Sequence, residues 1–145
     1  MNNKAIIVAL FKANGKITEA LSQGLKPLGI SIQQFNVLRI LRGQKGNPSN
    51  LNTVHERMIH KMSNTTRLID KLIDKGLVSR NLCKENRRKI ELFITTEGLK
   101  LLEIVDPIVD QIEAQFIEAL TSKQREEIIE ILNNLNNNNE NEKNN

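Results

Sequence analysis

Residues 50–76 read NLNTVHERMIHKMSNTTRLIDKLIDKG, and the spacing of their side chains decides how the rest of the chain is understood. Leu51, Val54 and Met58 stand three and four apart, which predicts one apolar face on a short helix from about Asn50 to Ile59. After a tight turn a longer helix is expected from Ser63 to Lys75. With Leu68 as origin and about 100° per residue, Leu72, Thr65, Ile69, Met62 and Ile73 fall between roughly 0° and 140°, a single stripe for burial. Asp70, Ser63, Asp74, Arg67, Lys71 and Asn64 fall between roughly 200° and 320°, so hydrogen-bonding groups crowd the outer side of the first turns. Gly76 follows where a left-handed cap suits a residue without a Cβ.

Beyond Gly76 the period changes to two. Leu77 to Leu82 reads as one strand, and Ile90, Leu92 and Ile94 alternate with Glu91 and Phe93 in a second. Between them stand Lys84, Glu85, Asn86, Arg87, Arg88 and Lys89, the basic tip of a hairpin. On the N-terminal side, Ile6, Ile7, Leu10, Ile17 and Leu21 predict a helix from Lys4 to about Gly24, broken by Pro27 and Gly29. Ser31 then caps a helix through about Arg42 that buries Phe35, Leu38 and either Ile40 or Leu41. On the C-terminal side Leu99, Leu102, Val105, Ile108 or Val109, Ile112 and Phe116 recur at helical spacing, with Pro107 expected to bend or break the helix. Thr121 and Gln124 have the spacing of a capping box ahead of Ile128, Ile131 or Leu132 and Leu135. Residues 136–145 are Asn, Glu and Lys only and predict a disordered polar tail.

The chain has 145 residues, enough for one compact unit through residue 135. Its longest apolar run, Ala5 to Phe11, is seven residues, whereas a membrane-spanning helix needs about twenty. No signal segment fits, and the expected location is cytoplasmic. Cys83 has no second cysteine to pair with, and its expected role is a buried structural thiol. His55 and His60 stand five apart, about 140° round a helix, so no metal site is expected, and no cofactor. The absence of Trp and Tyr speaks against modules that stack unpaired bases on aromatic platforms, and leaves duplex DNA open. Charge is distributed to match: residues 1–44 carry six basic and one acidic side chain, and residues 45–95 eleven and five. Residues 96–145 reverse the balance with four and eleven, as in a domain with a polyanion-facing side and a remote assembly side.

A short helix, a tight turn, a longer helix with a polar outer face and a basic hairpin form the layout of a winged helix-turn-helix. The expected fold class is therefore mainly α with a small β-hairpin wing, residues 31–95 forming the DNA-binding lobe, and 1–28 and 96–135 forming N- and C-terminal dimerisation helices. An α-helix fits the major groove, and a basic hairpin beside it can reach the neighbouring minor groove. Direct DNA contact is expected from Arg67 and Lys71. Ser63 is expected as the N-cap, and Asn64 and Thr66 to meet bases or phosphates. In the wing, Arg88 and Arg87 are expected in the minor groove, and Lys84 and Lys89 on phosphates.

These motifs resemble the MarR family of bacterial transcriptional regulators over nearly the whole chain. Val54-His55-Glu56-Arg57-Met58 stands where such regulators usually show Leu-Ala-Glu-Arg-Leu, and Ser63-Asn64-Thr65-Thr66-Arg67-Leu68 resembles their Ser-Thr-Val-Thr-Arg-Leu. The wing pattern Asp-x-Arg followed by Leu-Thr-x-x-Gly appears as Asn86-Arg87-Arg88 and Ile94-Thr95-Thr96-Glu97-Gly98. Asn86 for Asp and His55 for Ala are departures, and Thr65 replaces Val in agreement with its buried angle. The resemblance implies a homodimer that sets two recognition helices in successive major grooves of a pseudo-palindromic operator, about 34 Å apart. Both terminal regions also carry more apolar residues than a small winged domain needs to cover. It further implies a repressor released by a small amphipathic or aromatic ligand. The competing reading is a helical dimeric protein-interaction module whose winged lobe does not read DNA. An enzyme is not expected, since no phosphate-cradling glycine loop and no nucleophile with a base and orienter is present.

Overall fold

The structure is a computed structural model that describes residues 2–58, 64–85 and 89–141, with the side chains of 139–141 excepted. Its elements are α1 (Asn3–Leu25), a 3-10 turn (Lys26–Leu28), α2 (Ile32–Gly43), α3 (Leu51–Arg57), α4 (Thr65–Asp74), β1 (Val78–Leu82), β2 (Ile90–Ile94), α5 (Thr96–Ile117) and α6 (Ser122–Asn141). The fold is mainly α with a two-stranded wing, as the periodicity predicts. The chain divides into two compact units, Met1–Asp110 and Gln111–Asn145, where the sequence suggested one through residue 135.

The first unit is built around α2. Ser31 and Gln34 close a reciprocal capping box: Gln34 N–H donates to Ser31 Oγ at 3.1 Å, and Ser31 N–H donates to Gln34 Oε1 at 3.0 Å. This satisfies two orphan amides and starts the helix with Phe35, Val37, Leu38 and Leu41 facing inward. Val54 and Met58, Ile69 and Leu72, Leu77 and Val78, and Leu92 complete the interior of the lobe. Each fully buried leucine contributes about 1.5–3 kcal/mol by leaving water. Leu25 from α1 and Leu102, Val105 and Val109 from α5 belong to the same core. Helices α1 and α5 therefore help to close the lobe.

The wing is antiparallel, with Val78 opposite Ile94 and Leu82 opposite Ile90. Ser49 extends this sheet by a bridge to Leu92, which holds the segment ahead of α3 against the wing. At the far end the chain enters α5 through Thr95, whose Oγ1 donates to the Gly76 carbonyl at 2.7 Å and accepts from Gly98 N–H at 3.1 Å. One side chain thus caps α5 and ties it to the end of α4. Gly98 is buried there, and a Cβ on it would stand 2.4 Å from the Leu77 carbonyl oxygen and 2.7 Å from Ile94 Cγ1. Gly76 has φ of 74°, the left-handed cap its position predicts.

Two sequence expectations are corrected. Pro107 lies inside a continuous α5 and does not break it. Proline removes one amide donor, and the acceptor it forfeits four residues back belongs to Glu103, which is exposed and open to water. Leu102, Val105 and Val109 meanwhile hold the helix to the core on both sides of the proline. The second correction is the polar tail: α6 continues through Asn141, where disorder was expected from Asn136. Adding a residue to a helix already nucleated gains a hydrogen bond for each pair of dihedrals fixed, so an apolar-free extension is far cheaper than a new helix.

In the second unit α6 opens with the expected capping box, Gln124 N–H donating to Thr121 Oγ1 at 3.2 Å and Thr121 N–H to Gln124 Oε1 at 2.9 Å. Arg125 donates to the carbonyls of Leu120 and Ile117, covering acceptors at the α5 terminus. Ile128, Ile129, Ile131 and Leu135 of α6 remain exposed.

Candidate nucleic-acid interface

Helix α4 is the element with the sharpest division between faces. Thr65, Ile69 and Leu72 are buried and Leu68 and Ile73 half-buried, whereas Asn64, Thr66, Arg67, Asp70, Lys71 and Asp74 are exposed, as the angular reading predicts. Asn64, Arg67, Leu68 and Lys71 line a shallow groove on the outer face. Lys71 also borders a second groove, with Ser31, Gln34, Leu68, Asp74 and Lys75, beside the start of α2. The carbonyl of Gly29 accepts from Lys75 Nζ, which turns that lysine toward the α1–α2 connection. Arg67 and Lys71 thus present cations from one exposed surface, with Asn64 and Thr66 supplying neutral donors and acceptors beside them.

The start of α4 differs from the sequence expectation. The N-cap position is held by Asn64, not Ser63, and the Asn64 side chain makes no cap hydrogen bond. Ser63 itself lies outside the described residues. So do Arg87 and Arg88, and with them the Asn86 departure and the minor-groove assignment. Lys84 and Lys89 are described and exposed on either side of the hairpin tip. The wing ladder carries on past β1 through Cys83 N–H, which donates to the Lys89 carbonyl at 3.0 Å. Cys83 is half-buried, where a buried thiol was expected.

Three features escaped the sequence reading. Arg80 of β1 stands 3.9 Å from Asp70, so the wing supplies a cation beside an acidic residue on the outer face of α4. A carboxylate there repels phosphate, and a neighbouring guanidinium offsets that repulsion. Arg39 and Arg57, both exposed, share a groove with Asn36 and Ile40 on the α2–α3 side of the lobe. Arg42 grips Asp106 at 2.5 and 3.5 Å, a half-buried ion pair that ties α2 to α5. Basic residues next to the helix-turn-helix were a visible signal for Arg39, Arg57 and Arg80. The Arg80–Asp70 and Arg42–Asp106 pairs each join two separate elements, which no local spacing encodes.

The His55 departure also has a structural answer. His55 of α3 is half-buried, and its Nδ1 shares a 2.7 Å hydrogen bond with Oγ1 of buried Thr65, the first residue of α4. The two positions where the chain departs from an Ala and a Val in the motif helices therefore meet each other.

A MarR family model matches residues 30–90, the span from the start of α2 to the first residue of β2. Over that span the chain is similar to the MarR family. An HTH-type transcriptional repressor of Mycobacterium tuberculosis is 26% identical over 118 residues, covering 81% of this chain and 84% of that protein. A MarR variant from E. coli solved with operator DNA is similar in fold, with a TM-score of 0.80, 22% identity and coverage of 93% and 97% of the two chains. BpsR of Bordetella bronchiseptica, whose DNA binding is regulated by 6-hydroxynicotinic acid, has a TM-score of 0.80 at 23% identity, covering 88% of this chain and 90% of that one. Among the described residues no helix is long and apolar enough to cross a membrane.

Proposed function

We propose that the chain is a homodimeric, sequence-specific repressor that reads a pseudo-palindromic duplex operator in the cytoplasm and leaves it when a small amphipathic or aromatic ligand binds. The observation that carries this reading is α4 itself: one face seals the lobe with Ile69 and Leu72, and the other presents Asn64, Thr66, Arg67 and Lys71. Such a helix suits a major groove, where an Arg fork pairs with guanine and short polar side chains meet neighbouring edges or phosphates. Lys84 and Lys89 would neutralise flanking phosphates, with Ser63 at the helix start, and Arg87 and Arg88 would enter the minor groove.

Support for a dimer comes from apolar side chains that no described residue covers. Ile6, Ile7 and Phe11 of α1 are half-exposed or more, and so are Ile129 and Ile131 of α6. Monomers rarely leave that much large apolar surface in water. Ligand release draws on the likeness to BpsR, whose DNA binding responds to a hydroxylated aromatic acid. The protein-interaction reading loses one of its two supports, because His55 is accommodated by a hydrogen bond rather than spoiling the helix pair.

The test is binding of the purified protein to DNA from its own upstream region, titrated with salt and unrelated competitor. Selective binding with a steep salt slope is expected, because each neutralised phosphate releases condensed counterions. Loss of that selectivity on addition of aromatic acids would identify the ligand class.

A further inference from the structure

A helix that reads DNA must be held at a set angle to its neighbour, and the structure shows a polar contact between α3 and α4 that does so. His55 lies on α3 and Thr65 opens α4; the Nδ1–Oγ1 separation is 2.7 Å, and Thr65 is 5% exposed. The Asn64 side chain, at the N-cap position, makes no cap hydrogen bond. Thr66 and Arg67, the next two residues, are exposed and are the side chains assigned above to the DNA. Within one turn of an α-helix the backbone moves as a body, so whatever fixes Thr65 fixes the aim of Thr66 and Arg67. A hydrogen bond directs this more tightly than an Ala–Val contact, which tolerates sliding and rotation, because its strength falls steeply as the angle bends.

We propose that the hydrogen bond between His55 and Thr65 sets the pose of α4, making both of them positioning residues for sequence selection by the recognition helix. The proposal rests on the DNA-reading function put forward above. Its signature follows from the difference between the two kinds of contact. Long lysine and arginine side chains follow a phosphate through small helix shifts, whereas paired contacts to base edges do not. Loss of the bond should therefore erode selectivity and leave non-specific affinity and the salt slope alone.

The experiment uses the full chain as wild type, His55→Ala, Thr65→Val, the double variant and His55→Asn, whose side-chain amide can occupy the place of Nδ1. A preferred duplex is first selected from random-sequence DNA with wild type, and affinity for it and for unrelated duplex is measured at several salt concentrations. Each single variant is expected to lose about three- to tenfold in the ratio of the two affinities, in line with one hydrogen bond. The double variant should lose no more than the larger single loss, and His55→Asn should stay within about twofold of wild type. Hydrogen exchange at the Thr66–Leu68 amides of the DNA-free protein should quicken in His55→Ala and not in His55→Asn. An unchanged ratio, additive losses, or equal falls in both affinities overturn the positioning role while leaving the DNA reading intact. A wild type that selects no sequence at all overturns the DNA reading and this proposal with it.

Discussion

The lobe and the C-terminal helix spend similar side chains in opposite ways. In the lobe Leu38, Leu72 and Leu102 are wholly buried; in α6 Ile129 and Ile131 are each 59% exposed, and on α1 Phe11 reaches 71%. Apolar residues at helical spacing occur in both regions, so periodicity alone does not say whether a stripe closes a core or waits for a second surface. What separates them is the company each stripe keeps. The α4 stripe meets α2 and the wing within a short stretch of chain, whereas large apolar side chains on α1 and α6 stay exposed. The first use of apolar surface makes the fold, and the second leaves apolar surface in water, which the dimer proposed above would cover.

The contrast can be tested by substitution, beginning with the largest effect. Leu38→Ala should cost about 2–5 kcal/mol in denaturant unfolding, since it removes a fully buried side chain and leaves a cavity. A loss under about 1 kcal/mol would mean that the lobe is far looser than its burial implies. Gly98→Ala should cost about 1–3 kcal/mol even though alanine is the better helix former, because its Cβ would press on the Leu77 carbonyl and on Ile94. Thr95→Ala should cost about 1–2 kcal/mol through loss of the α5 cap and of the bond to Gly76. At the other extreme, Ile131→Asp should leave the far-ultraviolet spectrum of the folded chain unchanged and shift sedimentation from dimer toward monomer. If wild type and variant sediment identically as monomers, the exposed stripes have another use and the comparison breaks.

How legible these features were follows the same division. The capping boxes at Ser31 and Thr121, the left-handed Gly76 and the two faces of α4 were readable because each depends on residues within a few positions of one another. The Leu-Thr-x-x-Gly resemblance marked Gly98 without a reason, and the reason, a close approach to the Leu77 carbonyl, exists only after folding. Pro107 was misread because its tolerance depends on Glu103 facing water and on three buried neighbours in α5. The extension of α6 was missed because composition describes a free segment, not one continuing an existing helix. In the candidate interface, Arg67 and Lys71 were legible from their face. The partnerships of His55 with Thr65 and of Arg80 with Asp70 were not, since each links residues ten positions apart through the tertiary arrangement.

The central claim is that the outer face of α4 reads duplex DNA. The most direct measurement is the affinity of wild type and Arg67→Ala for a selected duplex and for unrelated competitor, across a range of salt. The account predicts a steep salt slope and clear selectivity in wild type, with Arg67→Ala losing about 1–3 kcal/mol on the selected duplex and most of its preference at one base position. Equal affinity of wild type for both duplexes, unchanged by Arg67→Ala, would contradict it.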